Sequence, residues 1–213
     1  MKVNDLFSKE LISLNYMLGL IVAKVLQNNN YNIIISDVNV IEEGFYVEFD
    51  YEFNLKEEDL KNINNQIQFF LKTKFNFLQE KKSKKELLKL NNNIFLIEQL
   101  KKIEFDNIDT IILNGSYFIK KQEILNEIPK NISIICNSIS GAYFQGQSEN
   151  KQLQRIYGIG HFSKEQLQQW IEEIEIRKNY DHRKIGQELE IFMFDILSGA
   201  CLLYTSPSPR DCS

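Results

Sequence analysis

The sequence predicts an α+β fold: an antiparallel or mixed sheet with helices packed on one face, followed by a long helix towards the C-terminal end. Three observations point there. Apolar residues recur at helical spacing in several separate stretches. Runs rich in β-branched and aromatic residues, bounded by Gly, Pro and Asn, lie between them. Their order, helix, strands, helix, strand, helices, strands, helix, is not the strict alternation of βαβ units.

The first helix spans Lys9 to Gln27. Leu11, Leu14, Leu18, Ile21, Val22 and Val25 form one apolar stripe and Ile12, Tyr16 and Leu20 a second, so the helix is buried on most sides. Asn28-Asn29-Asn30 ends it, because Asn tolerates the left-handed conformation of a helix stop. Ile33–Ile35, Val38–Ile41 and Phe45–Phe53 read as strands, with Glu43-Gly44 as the turn before the last. Alternation puts Tyr46, Glu48, Asp50 and Glu52 on one polar face, which reads more readily as a solvated sheet surface than as a pocket wall. Asn54 with Glu57 resembles a capping box, and Leu60, Ile63, Ile67, Phe70 and Leu71 carry a helix to about Lys74.

Phe75 and Phe77 then alternate into the basic run Lys81 to Lys85, and Ser83 with Glu86 caps a helix carrying Leu87, Leu88 and Leu90. Ile94–Ile103 is a further short helix. Ile108–Leu113, Ile132–Cys136 and Ala142–Gln145 read as strands interrupted by Gly115, Pro129 and Gly141. Ser163 and Gln166 cap a helix with Leu167, Trp170, Ile171 and Ile174 that runs to Lys178, and Asp181 caps its continuation through Ile185 and Leu189.

Composition excludes several classes. With 213 residues, 43% hydrophobic and 25% charged, the chain is not disordered in the main. Its 29 acidic and 25 basic residues leave a formal charge of -4, so no overall basic field announces nucleic acid. The longest apolar stretch, Met17 to Ala23, falls short of the roughly 20 residues a membrane span needs. Asp5 and Glu10 interrupt any basic leader, so the chain reads as cytoplasmic, with no membrane partner. Residues 201–213 hold two of the three Pro and two of the three Cys, and they break the Lys-, Asn- and Ile-rich bias of the rest. They resemble translated sequencing-adapter read-through and are set apart from the fold. The remaining Cys136 suits a reducing compartment as a small buried residue.

Specific motifs appear late in the chain. Leu153-Gln154-Arg155-Ile156-Tyr157-Gly158 and Asp181-His182-Arg183-Lys184-Ile185-Gly186-Gln187-Glu188-Leu189-Glu190-Ile191-Phe192 resemble the LQRIYG and DHRKLGKELDLF motifs of the threonyl-tRNA synthetase family. Ser140-Gly141-Ala142-Tyr143-Phe144 with Gly146 and Ser148 is similar to that family's AGAYWRGDS. Gly44-Phe45-Tyr46 with Asp50 resembles its NGFYYDVD, and Leu55 to Leu60 its LTQEDL. The resemblance covers residues 10 to 200 or so. It implies an N-terminal fragment: an editing-like domain at 1–162, a linker helix at 163–192, the start of an aminoacylation core at 193–200, and the extraneous tail at 201–213.

By that resemblance ATP, magnesium and zinc belong to the missing core, so no cofactor and no metal site is expected in this fragment. Homodimerisation belongs to the full-length protein. The partners implied are the missing core and, weakly in isolation, the acceptor end of threonine tRNA. The family's editing site hydrolyses serine mischarged on that tRNA, using HxxxH on the first helix and CxxxH on a later strand and loop. Two His four apart share one helix face and can polarise a water or the ribose. Matching Met17-Leu18-Gly19 to the family's LLG puts Tyr16 and Leu20 at the two His positions, with Ile12 at a further upstream His, and none of these can move protons at neutral pH. The CxxxH pair falls within Ser116 to Leu125, which holds neither Cys nor His.

The expectation is an editing fold without catalytic residues. His161 reads as a packing residue, His182 as a cap or interface residue of the linker, and Cys136 as an unreactive thiol. A free-standing editing or tRNA-binding module of the same superfamily is the alternative. For weak tRNA contact the residues are Lys81, Lys82, Lys84, Lys85, Arg183 and Lys184, with Lys120, Lys121, Arg177 and Lys178 further candidates. Solvated surface charge is the competing reading for each.

Overall fold

The computed structural model describes residues 8–29, 32–73, 76–90 and 92–178. Among them the order is α1 (Lys9–Asn29), β1 (Ile34–Ile41), β2 (Gly44–Asp50), α2 (Glu57–Phe70), β3 (Phe77–Ser83), α3 (Lys84–Leu90), α4 (Ile94–Lys102), β4 (Asn107–Leu113), β5 (Ser116–Ile119), β6 (Ser133–Tyr143), a 3-10 turn at Phe144–Gly146, β7 (Gln152–His161) and α5 (Lys164–Lys178). The chain divides into two compact units between Gln168 and Gln169, and the elements from α1 to the first turn of α5 make up the first. The predicted continuation of α5 past Asp181 lies outside the described residues.

The α+β class stands, but the single sheet expected is two, and both are antiparallel. A four-stranded sheet has the order β1-β2-β7-β6 and a three-stranded one the order β3-β4-β5. Helix α1 lies across β1, β2 and β7, and α2 across β6. The two stripes of α1 are both buried from Leu14 onward, with Leu11 and Ile12 half-buried at the start of the helix. Each such aliphatic side chain contributes roughly 1.5–3 kcal/mol on burial. The window Lys9–Asn28, with mean hydropathy 1.3, is long and apolar enough to cross a membrane, further than Met17 to Ala23 suggests. Yet 72% of that window is buried inside the protein, where the same apolarity serves a core helix.

Phe45, Val47 and Phe49 of β2, Ile156 of β7 and Ile134 and Cys136 of β6 meet α1 and α2 in one core. Helices are not confined to that face. Phe95 of α4 joins Ile34, Phe144 and Leu153 on the opposite side of the large sheet. The small sheet is covered twice: Ile111 and Leu113 enter the main core, while Ile108, Tyr117 and Ile119 pack with Leu87, Leu96 and Leu100 of α3 and α4.

Several boundaries move for identifiable reasons. The stretches 33–35 and 38–41 form one strand, because Ser36 is an extra residue in a bulge: Ile35 faces Phe49 and Asp37 faces Glu48. The bulge keeps Ile35 and Val38 both on the core face. The turn is Glu42-Glu43, and Gly44 begins β2. Strands 132–136 and 142–145 are likewise one strand, with a bulge between Cys136 and Ser138, and it passes through Gly141 without a break. The cap of α2 is Lys56 rather than Asn54, whose place in the reciprocal pair is taken two residues on: the Asp59 carboxylate accepts the Lys56 N–H at 2.7 Å. The reciprocal cap read at Ser83 and Glu86 is present, at 3.1 and 3.3 Å. Ser163 Oγ accepts from Gln166 N at 3.2 Å at the start of α5.

Candidate functional site

Tyr16 and Leu20 sit on the α1 face that looks towards β1 and β5, and they line a cavity of about 170 Å³ together with Asp37, Gln99, Ser116 and Lys121. Tyr16 is 1% exposed. Its hydroxyl donates to the Ile119 carbonyl at 3.0 Å and accepts the Lys121 N–H at 3.1 Å. Burial pushes its pKa up to about 12; the Lys121 N–H works the other way, and nearby Asp37 adds to the rise. The phenol is therefore neutral and fully engaged, tying the end of β5 to α1. The next residue, Met17, accepts the Leu125 N–H at its Sδ at 3.2 Å, so residues 119–125 run alongside the helix.

A second cavity, of about 280 Å³, lies on the outer face of the large sheet, lined by Ser36, Asp37, Tyr46, Glu48, Gln99 and Arg155 among others. Here the sequence reading is corrected, since Glu48 is 3% exposed and belongs to a network rather than to a solvated face. Ser36 Oγ donates to one Glu48 oxygen at 3.0 Å, and the Arg155 guanidinium donates to the other at 2.5 Å. The charge is buried because it is paired. Arg155 lies over the Tyr46 ring at 4.2 Å, and Tyr46 meets Tyr157 with ring centroids 6.4 Å apart. Burial works most strongly against the Arg155 cation, but Glu48 and Tyr157 together outweigh it and hold the pKa above its ordinary value. Tyr157 moves down: burial opposes ionisation, while Ser140 and Arg155 favour it more.

Asp37 stands between the two cavities. It accepts the Tyr46 hydroxyl at 3.0 Å and the Val38 N–H at 2.8 Å, and it pairs with the Lys121 ammonium. Burial, followed by Asp37, pushes the Tyr46 pKa up to about 12. Asp37, Lys121, Arg155 and Gln99 were not grouped by sequence reasoning. A polar Ser36-Asp37 pair inside a largely apolar strand was the signal available, and a strand bulge is what makes room for it. No three His, Cys, Asp or Glu gather into a metal-binding set among the described residues.

No family model matches the chain. Individual curated proteins do. Threonine–tRNA ligase from Geobacillus sp. (strain WCH70) is 34% identical over 170 residues, covering 72% of this chain and 24% of that protein. The same enzyme from Staphylococcus aureus (strain NCTC 8325 / PS 47) is 34% identical over 167 residues, covering 76% and 26%. That from Anoxybacillus flavithermus is 32% identical over 162 residues, covering 72% and 25%. The chain is homologous to a segment of the threonine–tRNA ligases. It spans about a quarter of the length of the curated relatives it matches.

Among the described residues, those proposed for tRNA contact are mostly engaged at home. Lys81 approaches Asp109 at 3.8 Å, Lys82 pairs with Glu80 at 2.9 Å, and Lys84 donates to the Ile103 carbonyl at 2.9 Å, whereas Lys85 is exposed. Lys120 pairs with Glu123 at 2.7 Å. Arg183, Lys184 and His182 lie outside the described residues, as do the side chains of Arg177 and Lys178. His161 ends β7 and is buried. Burial pushes the Cys136 thiol up to about 12, far from the thiolate a nucleophile needs.

Proposed function

We propose that this segment is the editing-like region of a threonine–tRNA ligase whose hydrolytic site has been filled, leaving a domain that supports the enzyme and helps place the acceptor end of threonine tRNA. The observation that carries the reading is Tyr16: a neutral phenol stands, buried and doubly bonded, at a position where the resemblance puts a catalytic imidazole. Leu20, one turn on, offers no proton, and residues 116–125 contribute Ser116, Tyr117, Phe118, Ile119 and Lys121 to the cavity but neither thiol nor imidazole. Hydrolysis of an aminoacyl ester needs a group that accepts a proton from water near neutral pH, and the carboxylate in this wall, Asp37, is already paired with the Lys121 ammonium. In the whole protein, threonine would be attached to its tRNA by a separate core using ATP, magnesium and zinc, in the cytoplasm and as a homodimer.

The test is deacylation of Ser-tRNA(Thr) by the purified chain, its folded state checked by circular dichroism. Release of serine at the rate of the buffer blank is expected. Turnover well above the blank overturns the reading.

A further inference from the structure

Asp37 is placed by the Ser36 bulge at the junction of the two cavities, and strand bulges commonly re-aim side chains at sites. Its carboxylate is prepared on two sides by neutral donors, the Tyr46 hydroxyl at 3.0 Å and the Val38 N–H at 2.8 Å. The remaining side meets an ammonium, that of Lys121, which comes from the loop after β5. The Asp37 side chain is 19% exposed and that of Lys121 31%, so the contact is recessed from the surface. Lys121 is held by its backbone rather than by its side chain alone, because its N–H is bonded to the Tyr16 hydroxyl at 3.1 Å.

We propose that Asp37, with Tyr46, forms a recognition site for a small primary ammonium group, and that Lys121 occupies it in cis. The inference deepens the reading above: besides lacking imidazoles, the pocket holds its own cation where the α-ammonium of an aminoacyl ester would sit. A carboxylate, a hydroxyl and an adjoining cavity of about 170 Å³ match an ammonium with a short polar body, such as an esterified hydroxy amino acid. A charged ligand must displace Lys121 to enter, so the unmodified protein binds it poorly. Removal of the lysine leaves a partly buried carboxylate without a cation, the condition under which an external ammonium gains most.

The probe is L-serine methyl ester, titrated into the whole chain and followed by isothermal calorimetry and amide NMR shifts at Ser36, Asp37 and Tyr46. The Lys121→Met variant is expected to bind at least about tenfold tighter than the unmodified chain, the scale of one charge-assisted contact. The amine-free analogue, methyl 3-hydroxypropanoate, is expected to bind neither. Adding Asp37→Asn to Lys121→Met should abolish the gain. Equal affinity of the unmodified and Lys121→Met chains overturns the proposal, as does a gain that survives Asp37→Asn or is shared by the amine-free ester. Lys121→Ala replaces the Met variant if that one does not fold, and failure of both to fold makes Lys121 a structural strut and overturns it too. Binding is read here without hydrolysis, so serine release by the unmodified chain refutes the proposed function alone, and absent binding refutes this inference alone.

Discussion

Tyr16 turns a position on a helix face into a link between elements over a hundred residues apart. Its hydroxyl satisfies one carbonyl and one N–H at the end of β5, so Tyr16→Phe leaves both without a partner in a buried place. The expected cost at pH 7 is about 1–3 kcal/mol, read from urea unfolding. The pH dependence has a definite sign. The folded pKa, about 12, lies above the ordinary 10.0, so the folded state holds the phenolic proton more tightly than the unfolded chain does. The contribution is complete below pH 10 and is lost as pH rises towards 12, with a slope of up to roughly 1.4 kcal/mol per pH unit. Tyr16→Phe should flatten that alkaline branch without abolishing it, since Tyr46, also raised to about 12, remains. An undiminished slope in the variant means that the proton is not where the geometry puts it.

At the scale of elements, side-chain amides hold the sheets to the helices. Asn15 of α1 donates to the Gly160 carbonyl and accepts the Gly160 N–H, at 3.0 and 2.9 Å, acting as one more strand residue beside β7. Asn64 of α2 does the same for Cys136 on β6, at 2.9 and 2.8 Å, next to the bulge. Asn93 and Gln99 bond the carbonyls of Ile35 and Ser36 on β1. Both outer strands of the large sheet thus have edge groups covered by amides, which blunts their tendency to pair with other chains. The Asn-rich composition therefore includes residues with structural duties that spacing alone could not reveal, because their partners lie far away in the chain. Asn64→Ala is expected to cost about 1–3 kcal/mol in thermal or urea unfolding and to raise the aggregation rate on mild heating; Asn64→Asp, which keeps only the acceptor, should recover part. Gly44→Ala should be worse. Gly44 has φ 153°, and an added Cβ would lie 2.2 Å from the Gly158 carbonyl oxygen, which belongs to the partner strand and cannot turn aside. A loss above about 3 kcal/mol, or failure to fold, is expected in the same assay.

For the whole molecule, what could be read in advance was what depends on near neighbours. The two stripes of α1 and the Ser83–Glu86 cap are local patterns, and both appear where the spacing puts them. Strand β5 was missed because four half-buried residues after Gly115 carry too little alternation, and its place is fixed by pairing with β4. The split into two sheets was illegible for the same reason: register is set by partners remote in sequence. The cavity beside α1 was half legible, since Tyr16 and Leu20 were singled out through a motif while Asp37 and Lys121 meet only in three dimensions. The same distinction governs the basic run, which looks in sequence like a contact surface. A formal charge of -4 gives no long-range attraction for RNA, and Lys81, Lys82 and Lys84 already have oxygen partners within the chain. Phosphate contacts made by such residues must first break those bonds, so they add little affinity. Fluorescence anisotropy with threonine tRNA should therefore give binding no tighter than about 10⁻⁴ M near physiological salt. Replacing Lys81 and Lys82 together by Gln should leave that binding within roughly twofold and change stability by less than about 1 kcal/mol, because the Lys81 pair is exposed and the Lys82–Glu80 pair partly so. Micromolar binding whose salt slope drops by about two phosphates on that replacement shows instead that the strand β3 lysines leave their partners and face the RNA.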